Sequence, residues 1–447
     1  MAKGTQADAP ARAPWLRQGS TGVATSLNLL GLGVPSLLAL FTIPVLLRVL
    51  GDGEFGLFAL AWAAMGYFSI LDLGITRATS RSVAIAKDAG RLDQAGKALR
   101  LALAIQFALG CLVAVVLIKS SATIVSLLRV RHESVGVARD AMWWLAIGLP
   151  FTLVTGAVNG AFEGLRLFGL LNITRFASSL LLLGLPVIAV LAGAGLTGAV
   201  GALAIARMLG FAMVAMAIGR HLKSVPSQGP SITVGSLYRY GTWVTVTGIT
   251  APLLSQSDRF IVGGVLGMPE VAAYAAPTDV ISRLSIVPAA LTSALFPKIA
   301  ALDAAGGRSA VREEVLRWAM RLGVGMAGFI ALLLPSTPWL LTVWLGPAIA
   351  AKASVATQIL LIGTLINTVA WLPSTFFVAS GRPHIPAISQ LIQLPLYFAA
   401  ASLLTARLGL MGVAIASLGR AIVDTSVLYV LFFWITRSDQ PSIHPQS

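Results

Sequence analysis

"LLSQSDRFIVGG" (Leu253–Gly264) sets an aspartate beside an arginine in a run otherwise suited to the interior of a bilayer. A charge at the bilayer centre costs about 2.5–3.5 kcal/mol on insertion scales. Asp258 and Arg259 therefore need partners, water or a ligand, and the rest of the chain must say which.

The rest of the chain is mostly apolar. Of 447 residues, 57% are hydrophobic and 11% charged, with a mean hydropathy of +0.85; a soluble domain carries about 25% charged residues. Segments of about 20 mostly apolar residues are long enough to cross a bilayer. Twelve occur, six between 23 and 218 and six between 240 and 435. The pattern predicts an all-α polytopic membrane protein of about 12 transmembrane helices in two six-helix bundles. Its expected parts are an N-terminal tail (1–22), a first bundle (23–222), a linker (223–239), a second bundle (240–436) and a C-terminal tail (437–447). The second and eighth spans read as 54–75 and 271–296. The polar segment "TRATSRSVAIAKDAGRLDQAGKALR" (Thr76–Arg100) reads as an amphipathic helix or hairpin outside the bilayer.

A net charge of +15 raises the possibility of nucleic acid, but the basic residues are scattered between apolar runs rather than gathered in a patch. No nucleic-acid partner is expected. Charge bias across a membrane accounts for the scatter better. With the N-terminus in the cytoplasm, the inner segments hold most of the basic residues, in groups such as Arg77, Arg81, Lys87, Arg91, Lys97 and Arg100, or Lys298, Arg308, Arg312, Arg317 and Arg321. The outer segments hold few, among them Arg48, Lys119, Arg139, Lys352 and Arg407. Both termini are therefore expected in the cytoplasm.

The two sets of six helices look alike. "VLGDGEFGLFA" (Val49–Ala59) and "VLGMPEVAAYA" (Val265–Ala275) share their key residues at an offset of 216; "GLTG" at Gly195 recurs as "GLMG" at Gly409; Arg166 aligns with Arg382. A parallel repeat of this kind binds substrate between its halves.

Catalytic chemistry is not evident. The four histidines (His132, His221, His384, His444) fall in expected loops or the tail without metal-ligand spacing, and no cofactor is expected. "GRLDQAGKAL" (Gly90–Leu99) has one residue too many between its glycines, and Ala98 where a phosphate loop needs Ser or Thr. A polytopic membrane enzyme, such as an oligosaccharide polymerase or ligase, would want a large outer loop; here the longest spans about 119 to 137 and holds Glu133 as its one acid. A multidrug-type secondary exporter of organic cations would want buried carboxylates in excess of arginines.

Six charges mark the second half: Asp258 and Arg259, Asp279 and Arg283, Arg420 and Asp424. The last two pairs have i,i+4 spacing and are expected to bridge along their own helices. Adjacent Asp258 and Arg259 point roughly 100° apart on a helix and must look elsewhere, with Asp279 and Arg283 on the next helix as complements. Arginine's forked donors suit a phosphate, so these residues are candidates for a hydrated anion-binding cavity. In the first half, Asp72, Arg77 and Arg81 in "SILDLGITRATSR" are candidates for a cytoplasmic entrance.

"LLRVLGDGEFGLFALAW…YFSILDLGITRA" (Leu46–Ala78) and "SQSDRFIVGGVLGMPEVAAYAAPTDV" (Ser255–Val280) resemble the polysaccharide-transport family, the Wzx-type flippases of the multidrug, oligosaccharidyl-lipid and polysaccharide (MOP) exporter superfamily. The resemblance implies a V-shaped, two-bundle transporter of the bacterial cytoplasmic (inner) membrane. It implies transfer of an undecaprenyl-diphosphate-linked oligosaccharide from the inner to the outer leaflet for O-antigen, capsule or exopolysaccharide biosynthesis. Alternating access through a cationic cavity would carry it, alongside other polysaccharide-assembly membrane proteins. The family's cavity charges fall on Asp258, Arg259, Asp279 and Arg283, and more loosely on Arg420.

Overall fold

The computed structural model describes residues 21–72, 74–88, 90–127, 135–219 and 242–437. The linker 223–239 and almost all of the two tails lie outside them. The helices are α1 (Thr21–Tyr67), α2 (Ile75–Asp88), α3 (Leu92–Leu127), α4 (Val135–Gly164), α5 (Phe168–Leu191), α6 (Gly195–Gly219), α7 (Thr242–Val265), α8 (Met268–Ser282), α9 (Ile286–Ala304), α10 (Arg308–Leu345), α11 (Pro347–Ala379), α12 (His384–Leu408) and α13 (Leu410–Arg437). Nine helical segments among the described residues are long and apolar enough to cross a membrane. α7 and the two arms of α1, which bends at Gly51, bring the count to twelve.

Several helices outrun their expected spans, and two of them do so for one reason. The second arm of α1 passes through a 3-10 turn at Phe68–Asp72 into α2, and α8 passes through a 3-10 turn at Arg283–Ser285 into α9. The helical path of the second and eighth spans therefore runs on to Asp88 and Ala304, past the expected limits of 75 and 296. Thr76–Arg100 is accordingly a hairpin, built from α2 and the first turns of α3. At 1.5 Å per residue the 36-residue α3 is roughly 54 Å long against about 30 Å of hydrocarbon.

The breaks show that the halves repeat. Gly51 and Gly267 both turn at positive φ (73° and 105°), as do Gly90 and Gly306 (70° and 72°) and Gly195 and Gly409 (56° and 63°). At Gly90 and Gly306 the chain leaves one helix for the next through the same pair of backbone bonds, Gly90 N–H to Lys87 O with Arg91 N–H to Ala86 O, and Gly306 N–H to Asp303 O with Gly307 N–H to Leu302 O, a helix-ending motif that wants a left-handed residue. Arg166 departs from its expected counterpart. It is left-handed (φ 56°), and the matching left-handed residue is Gly381 (φ 70°), one position before Arg382. The shared feature is a turn, not a guanidinium.

Packing differs sharply between the two ends of the molecule. Near Gly51 and Gly267 a single apolar core joins both halves, with Leu46, Phe55 and Phe58 packed in one cluster with Met268, Val271, Leu345 and Val413. Gly56 makes the approach possible: a methyl there would lie 2.0 Å from the Met268 carbonyl. Trp344 Nε1 donates across to Leu40 O at 2.7 Å. Near Gly90 and Gly306 the core divides, one cluster around Val83, Ala95 and Phe162 and another around Ile299, Val315 and Phe432. The molecule is closed at one end and parted at the other, a V. The parted end carries the basic groups assigned to the inner side.

Candidate functional site

The charges of the second half meet where α7, α8, α12 and α13 converge. α7 carries Asp258 and Arg259, both buried (6% and 3% exposed). They do look elsewhere, as helix geometry requires. Arg259 Nη2 donates to Asp279 Oδ1 of α8 at 2.5 Å. Asp258 is held by a group that composition alone does not flag: Tyr274 OH, from α8, donates to Asp258 Oδ2 at 2.6 Å. The Arg259 amide also donates to Asp258 Oδ1, at 3.1 Å.

The Arg420–Asp424 pair does not take the expected form, and Asp279 has a partner on a neighbouring helix. Asp279 accepts from Arg259 on the neighbouring helix, and Arg283, one turn on, shares with it the wall of a 40 Å³ cavity against Thr42, Trp62 and Leu182 of the first half. Asp424 accepts from Gln393 Nε2 at 2.9 Å and from Ser389 Oγ at 3.3 Å, both on α12. Arg420 instead lies over the Tyr397 ring, 5.5 Å from its centre. Helices pack within reach of one another's polar groups, and a shorter route to a neighbouring helix wins over a bridge along the surface.

Asp258 and Arg420 front a second cavity of 150 Å³, with Ser255, Thr278, Asn367 and Ser417 around it. That is well above the roughly 10–15 Å³ a single water needs. The Arg259 guanidinium bonds to Asp279, at the other cavity, and only the Arg259 backbone amide reaches Asp258. Among the described residues its Nε and Nη1, both buried, have no hydrogen-bond acceptor. Most buried donors find an acceptor; among the described residues Arg207 Nε and Arg420 Nε share the exception.

The proposed entrance residues do not form one group. Asp72 accepts from the Thr76 amide (3.2 Å), the Thr76 hydroxyl (2.6 Å) and Gln106 Nε2 of α3, capping the start of α2. Arg77 reaches Glu163 of α4 at 3.4 Å, as does Arg175 of α5 at 3.1 Å. A glycine stripe aligns these helices. A methyl on Gly160 or Gly164 of α4 would lie 2.3 Å from Thr76 O or 2.4 Å from Ser80 O of α2. That spacing, Gly156-x-x-x-Gly160-x-x-x-Gly164, is a sequence signal of close membrane-helix packing. Tyr274, Gln393 and Gln106 carry no such signal, because neutral polar residues are unremarkable in any span. Among the described residues no cluster of three or more His, Cys, Asp or Glu could hold a metal ion.

Two like halves, closed at one end and parted at the other around a cluster of three arginines and three aspartates, have the architecture of a MOP-type transporter. The fold agrees with solved examples. The chain matches an inward-facing multidrug-resistance MATE transporter of that superfamily with a TM-score of 0.75, at 15% identity over 92% of this chain and 99% of that one. It matches an outward-facing one at 0.66, 14% identical over 95% and 100%. Residues 24–303 match the family described as Polysaccharide biosynthesis protein, and residues 244–400 match the MatE family. A Shigella flexneri protein named as a candidate O-antigen transporter is 30% identical over 91% of this chain and 96% of its own length. The chain belongs to the polysaccharide biosynthesis protein family, and it is a multi-pass membrane transporter rather than an enzyme.

Proposed function

We propose that this protein is a flippase that carries an undecaprenyl-diphosphate-linked oligosaccharide from the inner to the outer leaflet of a bacterial cytoplasmic membrane. The product would feed surface polysaccharide assembly, beside other membrane proteins of that route. The observation that carries the reading is Arg259, buried, tied to Asp279 through one nitrogen and left with two unmatched donors. A diphosphate supplies the acceptors, and a guanidinium fork is the group best shaped to receive them. Arg283 and Arg420 border the adjoining cavities, with Asp258, Asp279 and Asp424 holding the site in shape between passages. Arg77 and Arg81 flank the parted end, where the lipid headgroup would enter. The relative named for O-antigen transport supports this cargo.

The two bundles are taken as 23–222 and 240–436, with both termini cytoplasmic on the basic-residue bias. The MatE match favours a multidrug exporter as the second reading; each cavity sets one arginine beside one aspartate, Arg283 with Asp279 and Arg420 with Asp258, and the relative named for O-antigen transport favours the anionic cargo. Deleting the gene in its own host and analysing the lipid fraction tests the proposal. Lipid-linked oligosaccharide should accumulate on the inner leaflet and surface polysaccharide should fall; unchanged glycan with altered drug sensitivity would select the exporter.

A further inference from the structure

A proline inside a helix lacks the N–H that would bond the carbonyl four residues back, and its ring pushes that carbonyl outward. In a bilayer the freed oxygen must find another donor. Three carbonyls freed in this way are taken by side chains of other helices. Pro338 of α10 frees Leu334 O, which accepts from Gln358 Nε2 of α11 at 2.8 Å. Pro373 of α11 frees Val369 O, which accepts from the Tyr429 hydroxyl of α13 at 3.1 Å. Pro44 of α1 frees Leu40 O, which accepts from Trp344 Nε1 of α10 at 2.7 Å. The first two bonds join helices of the second half. The third crosses from one half to the other.

The crossing bond also differs in its surroundings. It lies beside the apolar core that joins the halves at the closed end: Leu46 and Leu47, just past Pro44, belong to that core, and so do Leu341 and Leu345, on either side of Trp344 in sequence. Leu40, Pro44 and Trp344 also line a cavity of 680 Å³. The indole therefore has room to swing off the carbonyl. A transporter that opens to each side of a membrane in turn must part this end. Apolar contact is non-directional, so it does not by itself fix how the two halves meet there. A hydrogen bond does.

We propose that Trp344 is a latch on the closed end and that Pro44 creates the point to which it fastens. With an N–H at position 44, Leu40 O would bond within α1 and turn away from the indole. When the halves part, the indole N–H and the Leu40 carbonyl lose each other inside the bilayer, where an unmatched polar group is costly. The bond thus biases the cargo-free protein toward the closed form. The latch does not depend on what the transporter carries.

Thiol labelling at the closed end tests this. Ala272 lies one turn after Met268 on the same face of α8 and is fully buried, so a thiol placed there is reached when the halves part. The full-length protein is labelled in nanodiscs without cargo, with Cys111→Ala removing the native thiol. In Trp344→Phe, which keeps a ring and loses the donor, the labelling rate of Ala272→Cys should rise about fivefold, the equivalent of one net hydrogen bond of about 1 kcal/mol. Pro44→Ala should raise it by a similar factor, although that substitution itself favours the helix. Since both residues serve one bond, the double variant should label no faster than the quicker single one. Tyr429→Phe, which releases a carbonyl within one half, should leave the rate unchanged. An unchanged or slower rate in Trp344→Phe or Pro44→Ala, multiplied effects in the double variant, or an equal rise in Tyr429→Phe would overturn the proposal. Should one of the two variants fail to fold, the other decides alone.

Discussion

Arg259 and Asp279 join two consecutive helices through a single 2.5 Å contact, in which the arginine is buried and the aspartate is about one-quarter exposed. The acid therefore borders accessible space while its partner does not. Removing one member of a desolvated pair costs about 3–5 kcal/mol when the other stays uncompensated. Asp279→Ala should lower thermal stability strongly, because Arg259 loses its one side-chain acceptor. Arg259→Ala should cost less, because Asp279 reaches the 40 Å³ cavity at the interface. Thermal unfolding of both variants in one detergent checks the order.

Tyr274 and Asp258 form the second cross-helix bond. Tyr274→Phe removes the donor and leaves a buried carboxylate short of a partner, a loss of about 1–3 kcal/mol. Asp258→Asn keeps shape and still accepts from Tyr274, so it should fold and transport slowly. If the two residues act as a unit, the double variant should be no worse than the poorer single one. Transport at matched abundance decides this; multiplied defects would separate the two residues.

The glycine stripe gives a steric prediction. Gly160→Ala places a methyl 2.3 Å from a backbone carbonyl of α2, which cannot move without shifting the helix. Abundance should fall steeply, whereas Gly169→Ala, with open space around it, should be near neutral. Immunoblotting of membranes measures both.

Beyond the bilayer, Glu314 on α10 accepts from Lys298 of α9 at 2.6 Å and from Trp318 at 2.8 Å. The Lys298 ammonium, with Trp318 assisting, holds the Glu314 carboxyl below the usual carboxylate range. A depressed folded-state value stabilises above the unfolded value, near 4.3, and the contribution is lost as pH falls through the folded one. Glu314→Gln should thus be less stable than the parent at neutral pH, with the gap closing below about pH 4. A Tm difference that stays constant with pH would refute the assignment.

How far the sequence carries the fold follows from the solvent. A bilayer requires long unbroken apolar runs, so twelve spans and their two-part repeat are readable without coordinates. Their ends are less so, because the helical path of the second and eighth spans continues past the expected limits through 3-10 turns that no single residue announces. Charges stand out for the same reason that spans do: they are costly there. Their pairing is a property of neighbouring helices. Asp279 was within reach of Arg259 by helix order, but Tyr274 for Asp258 and Gln393 for Asp424 required packing to be seen. The four-residue spacing of the α4 glycines stands in the sequence, but their approach to α2 is seen only in the packing.

The most direct test of the anion site is binding of undecaprenyl diphosphate to the purified, full-length protein in nanodiscs. Hydrogen bonds to a charged group contribute about 1.5–3 kcal/mol, so losing the Arg259 fork should weaken affinity about tenfold or more. Arg259→Ala should show that loss, and Arg259→Lys should recover little of it, since an ammonium lacks the second aligned donor. Equal affinity in the parent and in Arg259→Ala, with both proteins folded, would contradict the account.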